Sequence, residues 1–323
     1  MKLVVSIPVH EKPEVIKNQI ENFKKYIKNT SIVLHVSKTF LEHHSLDEIK
    51  NIPGVYINPE HLDTKWANII QTHISNYLYI KNVLEFDYFI LHASNDMYIR
   101  TGFDSYIMKY EAGFNIRKVL DTDSHWWPGN FAFEDLQLKE IMNCCGQSMI
   151  IASQVESSFY KKELMDKIVE IIAPYINNLS EALVYPREEI YFSTVASSLV
   201  SWDRIGDTTT FSEVHRFDRT LWRLRNITRY IYYHCGLKIF FSEKTYQKIE
   251  QKYNDWLFRS KFYKTTPHII KRLLCDDTKY LEKKQYLDDG SGCFKLYGNM
   301  IYSVKRVNRD INDPLRKFIT NLP

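Results

Sequence analysis

The chain has 323 residues, 44% hydrophobic and 25% charged, enough for one large α/β domain or a nucleotide-binding core with an elaborated second half, and too apolar to stay disordered. Its +4 formal charge comes from 43 basic and 39 acidic residues that are interspersed, which argues against a strongly basic nucleic-acid face and leaves room for a local anion site. Cys144, Cys145, Cys235, Cys275 and Cys293 have neither CxxC spacing nor a nearby His pair, so they read as reduced structural thiols rather than zinc ligands.

An apolar strand over residues 2–8 opens the chain, with no signal peptide and no run of bilayer length, so a cytoplasmic protein is expected. A helix is predicted over 13–26, a strand over 31–36 and a short strand over 55–57. Trp66, Ile69, Ile70, His73, Ile74 and Leu78 then recur at helical spacing on one face. That helix leads into a second apolar strand over 87–93. The alternation predicts an α/β fold with a mostly parallel, Rossmann-like central sheet flanked by helices. Further on, a helix is predicted over 103–110, a loop over 124–131 from its Pro-Gly pair, a strand over 148–152 and a long helix from about 156 to 172. Pro186 suits a helix start, with Glu188 and Glu189 in its first turn. Beyond Trp202 the chain reads as mostly helical and aromatic. Its basic stretch 221–238, with Arg223, Arg225 and Arg229, reads either as a peripheral membrane contact or as a solvated helix face. Two short strands around Tyr297-Gly298-Asn299 are expected within 290–309.

A parallel strand buried on both faces binds ligands beyond its carboxyl end, which directs attention to Ser94, Asn95 and Asp96, and to Pro8, Val9 and His10 at the end of the first strand. An ordinary Asn-Asp turn is the plainer reading of 94–96. Glu188 and Glu189 could take a proton from an attacking hydroxyl. Being adjacent they point apart, so one would do this while the other binds the acceptor or caps the helix. Lys305, Arg306 and Arg309, with Arg316 and Lys317 beyond, could stabilise a leaving diphosphate or simply form a solvated face. Asp121-Thr122-Asp123 is a DxD triplet that could hold a divalent ion, a pattern of low specificity. Trp126 and Trp127, in a Pro-Gly loop, could stack on a sugar or form a buried pair.

Taken in order, seven segments carry a family likeness: the opening strand and helix Val4 to Phe23, His35-Val36-Ser37-Lys38, Lys65-Trp66-Ala67, Leu91 to Met97, Gly146-Gln147-Ser148-Met149, Glu188 to Thr194 and Tyr302-Ser303-Val304-Lys305. In these the chain resembles the core-2/I-branching β-1,6-N-acetylglucosaminyltransferases and peptide-O-xylosyltransferases, with their bacterial relatives. The resemblance implies a GT-A glycosyltransferase fold over 1–323, with a nucleotide-sugar-binding half at 1–120 and an acceptor-binding, catalytic half at 121–323. It implies an inverting mechanism without a metal cofactor. Glu189 falls on the family's catalytic base, five positions before Thr194, which leaves Glu188 to the acceptor together with Trp126 and Trp127. Lys305 falls on the cation that replaces a metal at the diphosphate, and Ser94 and Asp96 fall at the donor site. Ser37 stands where the family has an Asp associated with the nucleotide, and Met149 where it has a Trp. The family's second phosphate-binding Arg has no counterpart, with Lys283, Lys284 and Arg306 as substitutes.

The expected activity is therefore transfer of a sugar from a nucleotide sugar, uridine-linked (UDP), to a hydroxyl of a glycan or lipid-linked glycan, in bacterial surface polysaccharide or lipopolysaccharide synthesis at the inner face of the membrane. Two alternatives remain: a metal-dependent GT-A enzyme using Asp121 and Asp123, and a carbohydrate-binding protein without catalysis.

Overall fold

In the computed structural model the described residues are 1–10, 12–63, 68–114, 117–118, 131–180, 183, 185–207, 209–211, 265–275 and 301–323, together with 228–252 except 229, 233, 247, 250 and 251. Four parallel strands, β1 (Leu3–Val9), β2 (Thr30–Val36), β3 (Val55–Ile57) and β4 (Tyr88–Leu91), lie in the order β3-β2-β1-β4. β1 pairs with β2 from Leu3 opposite Thr30 and with β4 from Leu3 opposite Tyr88. The chain thus leaves β1 toward one side of the sheet and later continues from β4 toward the other. A crevice at the carboxyl ends of β1 and β4 is the consequence.

The predicted alternation of faces holds this layer together. Leu3, Val5, Ile7 and Val9 of β1 pack with Ile16, Ile20 and Phe23 of the helix Pro13–Tyr26. Val4, on the opposite face, packs with Ile70, Ile74 and Tyr77 of the helix Ile69–Ile80. Each such side chain contributes about 1.5–3 kcal/mol by leaving water. Pro13 begins its helix where a missing N–H costs nothing.

The remaining strands are short: β5 (Met97–Tyr98), β6 (Ala112–Gly113), β7 (Arg117–Lys118), β8 (Ile151–Ala152), β9 (Phe159–Lys161), β10 (Ile205–Gly206), β11 (Thr210–Phe211) and β12 (Ser303–Val304). The main sheet continues β4-β9-β6-β10, with β9 antiparallel to both neighbours. At Gly113 an added Cβ would sit 1.9 Å from Phe159 Cε1, so only glycine lets β6 and β9 close.

Several expectations are corrected here. The predicted long helix from 156 is a loop, then β9, then a helix only over Lys162–Ile172. Sheet pairing of Phe159 and Tyr160 between β4 and β6 outweighs their helical spacing, and Ser157, at φ +68°, is in the left-handed region. The predicted helix 103–110 stops at Ile107, and the strand over 87–93 stops at Leu91. Beyond Trp202, β10 and β11 interrupt what reads as helical sequence.

A second sheet, β11-β12-β5, pairs β12 parallel to β11 and antiparallel to β5. Its core joins Met97, Phe211 and Val304 to Ile270 and Leu273 of the helix Pro267–Leu274 and Ile319 of the helix Pro314–Thr320. The small sheet returns the end of the chain to the edge where β4 finishes. Cys144, Cys145, Cys235 and Cys275 are free thiols, and Cys293 lies outside the described residues. No helix among the described residues is long and apolar enough to cross a membrane.

Candidate functional site

The turn after β4 is built from its own buried polar groups. The Asp96 carboxylate accepts from the Ala93 amide at 2.9 Å and lies 3.0 Å from His92 Nδ1, while His92 Nε2 lies 2.9 Å from the Tyr98 hydroxyl. Gln19 donates to the carbonyls of Ala93 (2.7 Å) and Asp96 (3.0 Å). His92 and Asp96 are fully buried, and Asp96 Oδ1 has no hydrogen-bond partner among the described residues. Burial raises the Asp96 pKa and the nearby charge of Glu156 adds to this, against the opposing bond from His92. Asp96 and the buried Ser94 thus shape the strand end from behind, and the half-buried Asn95 sits at its rim.

The carboxyl-terminal segment is tied to this turn. Val307 donates its amide to the Asn95 carbonyl at 3.0 Å, and Lys305 donates its own to Phe211 at 3.0 Å. Lys305, only 5% exposed, donates from Nζ to Glu156 Oε2 at 2.8 Å. Burial alone would raise the Glu156 pKa. The Lys305 charge and hydrogen bond, with a further contribution from Arg306, outweigh it and hold the carboxyl below its ordinary range. Ser157, next to Glu156, and Arg306, next to Lys305, are both left-handed, at φ +68° and +63°. Non-glycine residues hold that conformation only where surrounding contacts fix it, at a cost of order 1–3 kcal/mol each. For Ser157 those contacts are its amide bond to Leu91 and a 2.6 Å contact between its hydroxyl and that of Thr209.

The glutamate pair stands on a 3₁₀ turn, Arg187–Glu189, ahead of the helix Tyr191–Leu199. Pro186 precedes this turn rather than starting an α-helix. The turn is anchored by Arg187, which is buried against Asp135 (Nε to Oδ2, 3.3 Å), the Ser180 carbonyl (2.7 Å) and Asn68 Oδ1 (3.2 Å). Asp135 Oδ2 also accepts from the hydroxyls of Tyr185 (2.5 Å) and Tyr191 (2.8 Å), while Oδ1 caps the helix Leu136–Cys144 through Gln137. Above this anchor Glu188 is buried, with Oε2 lacking a hydrogen-bond partner among the described residues. Desolvation pushes Glu188 up to about 8, and the charges of Glu189 and Glu156 push the same way, against Arg187. Glu189 is half-buried, and its carbonyl accepts from the Ser153 amide at 2.6 Å.

Glu156 is therefore the electrostatic centre: its charge is felt at Asp96, at Glu188 and at His73, and it is paired with Lys305. Through Lys305 and the neighbouring Ser157 it joins the carboxyl-terminal segment to the end of β4, and its charge reaches the glutamate turn.

On the other side of the crevice, His10, Ser37, Thr39, Phe40, His43, His44 and Asp63 line a cleft of about 310 Å³. Ser37 caps the short helix Lys38–His43 through a 3.2 Å bond from the Phe40 amide, and Asp63 accepts from the amide and hydroxyl of Thr39. His10 stays exposed at the cleft, yet desolvation of its ring by the surrounding protein pushes its pKa down to about 4, and the charges of Arg309 and His35 add to this. Arg309 thus links the cleft electrostatically to the carboxyl-terminal basic segment.

Of the residues expected at a donor site, His10 and Ser37 share the cleft, whereas Pro8 and Val9 are buried in β1. Lys305 and Glu188 belong to the buried cluster, with Glu189 half-buried beside Glu188, and Arg306 is exposed beside Lys305. Trp126, Trp127, Asp121, Asp123, Lys283 and Lys284 lie outside the described residues. Glu156, Arg187, Asp135 and Gln19 are absent from the sequence reading. Asp135 has a visible signal, an acidic cap before Leu136, Leu138 and Ile141, and the Ser157-Ser158 pair marks a turn at Glu156. Arg187 has none. Among the described residues no group of three or more His, Cys, Asp or Glu side chains is placed to hold a metal ion.

No family model matches the chain, and no curated protein matches it. Among solved structures it is similar to TarS of S. aureus, at 12% identity and a TM-score of 0.31 over 52% of this chain and 30% of TarS. It is also similar to the galactosyltransferase LgtC, solved with donor and acceptor sugar analogues, at 6% identity and a TM-score of 0.34 over 65% of this chain and 74% of LgtC. The matched part spans under a third of the length of TarS.

Proposed function

We propose that the chain is an inverting glycosyltransferase of GT-A type, acting on a uridine-linked nucleotide sugar without a metal cofactor. The observation that carries the reading is one arrangement at the crevice of a Rossmann-like sheet. A glutamate pair stands on a buried anchor within the field of the Glu156–Lys305 pair, and an open cleft lies past the ends of β1 and β2.

In this reading the nucleotide occupies the cleft of His10 and Ser37, and its diphosphate reaches toward Lys305. An ammonium has three N–H donors, and Glu156 occupies one of them, so a phosphate oxygen can join the pair. Glu189 takes the proton from an acceptor hydroxyl as the hydroxyl oxygen bonds to the anomeric carbon. The bond from that carbon to the diphosphate oxygen breaks on the opposite face, and Lys305 with Arg306 stabilises the charge that develops there. Glu188, protonated at neutral pH, donates a hydrogen bond to the acceptor and adds no second negative charge beside the base. A surface polysaccharide or lipopolysaccharide acceptor, at the cytoplasmic face of the membrane, is what the family resemblance adds.

The test is a thermal-shift panel of nucleotide diphosphates and sugar nucleotides, with manganese and with chelator, followed by turnover of Glu189→Gln. Stabilisation by a uridine nucleotide irrespective of metal, and a loss of about a hundredfold to ten-thousandfold in turnover with nucleotide affinity intact, are expected. An unchanged rate removes Glu189 from the mechanism. Metal-dependent stabilisation moves the site to Asp121 and Asp123, and glycan binding without any nucleotide response identifies a binding protein.

A further inference from the structure

Large apolar side chains exposed among the described residues are concentrated between Tyr230 and Ile249, with Ile239 and Phe240 the barest at 81% and 79% exposure. Leu237, Phe241, Tyr230 and Ile249 surround them in sequence. The feature has a defined shape. Gly236, at φ +84°, turns the chain into a 3₁₀ helix, Leu237–Ile239, and the Phe240 and Phe241 amides close it by bonding back to the Leu237 carbonyl. Behind it the Tyr232 hydroxyl donates to the Phe241 carbonyl at 3.0 Å, and the Tyr232 and Tyr246 rings stack 4.1 Å apart. An apolar knuckle is thereby held outward by an aromatic pair.

Charge accompanies it. Residues 221–252 contain seven Lys or Arg and two Asp or Glu, a net of +5, more than the +4 of the whole chain. Lys238, Lys244, Lys248 and Lys252 lie in the described part of that stretch. Protein interfaces are depleted of lysine and need roughly 1,000 Å² of complementary surface. A few bare apolar side chains among lysines are instead what a peripheral protein places at a bilayer surface, the rings among the acyl boundary and the ammonium groups against anionic headgroups.

We infer that the Leu237–Phe241 knuckle and its lysines dock the protein reversibly on an anionic lipid bilayer. This inference stands apart from sugar transfer, and its test uses no nucleotide. The full chain is sedimented with vesicles of phosphatidylcholine alone and of phosphatidylcholine mixed with phosphatidylglycerol, at low and high salt. Binding to the mixed vesicles that weakens in high salt is expected. Phe240→Ser with Phe241→Ser should reduce that binding by about tenfold or more, as loss of two buried rings requires, at an unchanged melting temperature. Lys244→Ser with Lys248→Ser should weaken it and flatten its salt dependence. Failure to bind anionic vesicles at low salt, or a phenylalanine variant that binds like the parent, overturns the inference. So does a lipid-free, concentration-dependent dimer that the phenylalanine variant abolishes, since the knuckle then docks a second copy of the chain.

Discussion

The cleft over β2 and the charged cluster beyond β4 flank one sheet edge and are assembled in opposite ways. The cleft takes nearly all its lining from residues that directly follow β1 and β2, and it is open to solvent. The cluster joins Glu188, Glu156 and Lys305 from three distant segments, with Lys305 and Glu156 149 positions apart, and buries Glu188 and Lys305 with Glu156 half-buried between them. Screening keeps a change at an open site local. In the cluster each charge shifts another's protonation, so a single substitution there should alter stability, pH dependence and chemistry together.

The sharpest way to break the cluster is from beneath. Asp135 does two things at once, capping a helix with one oxygen and holding Arg187, Tyr185 and Tyr191 with the other. Asp135→Ala should cost about 3–5 kcal/mol, since it leaves Arg187 buried without its carboxylate. Asp135→Asn keeps the cap, because Asn caps as well as Asp, and should recover only the roughly 1 kcal/mol that a cap contributes. Urea titrations of both variants check this, and a loss of only about 1 kcal/mol in Asp135→Ala with almost none in Asp135→Asn would mean that Arg187 is not held by charge.

The Lys305 pair comes next. Lys305→Met leaves the half-buried Glu156 without its lysine and should cost about 2–3 kcal/mol, somewhat less than a fully buried pair, while adding Glu156→Gln should restore part of it. Additive losses in the double-mutant cycle would show that the 2.8 Å contact carries no coupling.

Glu188 provides a pH signature. Its folded pKa is about 8 against an ordinary 4.5, so between those values the folded protein holds a proton that the unfolded chain releases. Stability therefore falls as pH rises through that window. Relative to the parent, Glu188→Gln should gain on the order of 2–4 kcal/mol between acid and alkaline ends of the window, a discount from the full shift at about 1.4 kcal/mol per unit. A parent-to-variant difference that ignores pH would assign the change to packing instead of the proton.

The same contrast explains what the sequence made legible. β1, β2, β3 and the helices on either face follow from apolar periodicity, because each buries its own face against a neighbour in the chain. His10 and Ser37 were accessible for that reason, lying just past such strands. Glu156 was not: its loop lies within a stretch whose residues also fit a helical period, and only pairing of Phe159 and Tyr160 with β4 and β6 decides against it. Arg187 was hidden further still, because a buried arginine looks like a surface one until Asp135, 52 positions away, is folded against it.

At the cleft the expected effects are smallest and easiest to separate. Ser37 caps the helix that carries Thr39, Phe40 and His43, and it also lines the cleft itself, so Ser37→Ala should lose about 1 kcal/mol of stability and loosen that wall. Ser37→Asp keeps the cap and places a carboxylate in the cleft wall. Its stability should match the parent within a few tenths of a kcal/mol, as an equivalent cap does. Any change in uridine nucleotide affinity in that variant then comes from the ligand and not from the helix, measurable by calorimetry beside the urea titration. If Ser37→Ala alone weakens nucleotide binding, position 37 acts by holding the wall in place. If Ser37→Asp alters affinity at unchanged stability, the side chain at 37 meets the nucleotide directly, and the cleft over β2 is its seat.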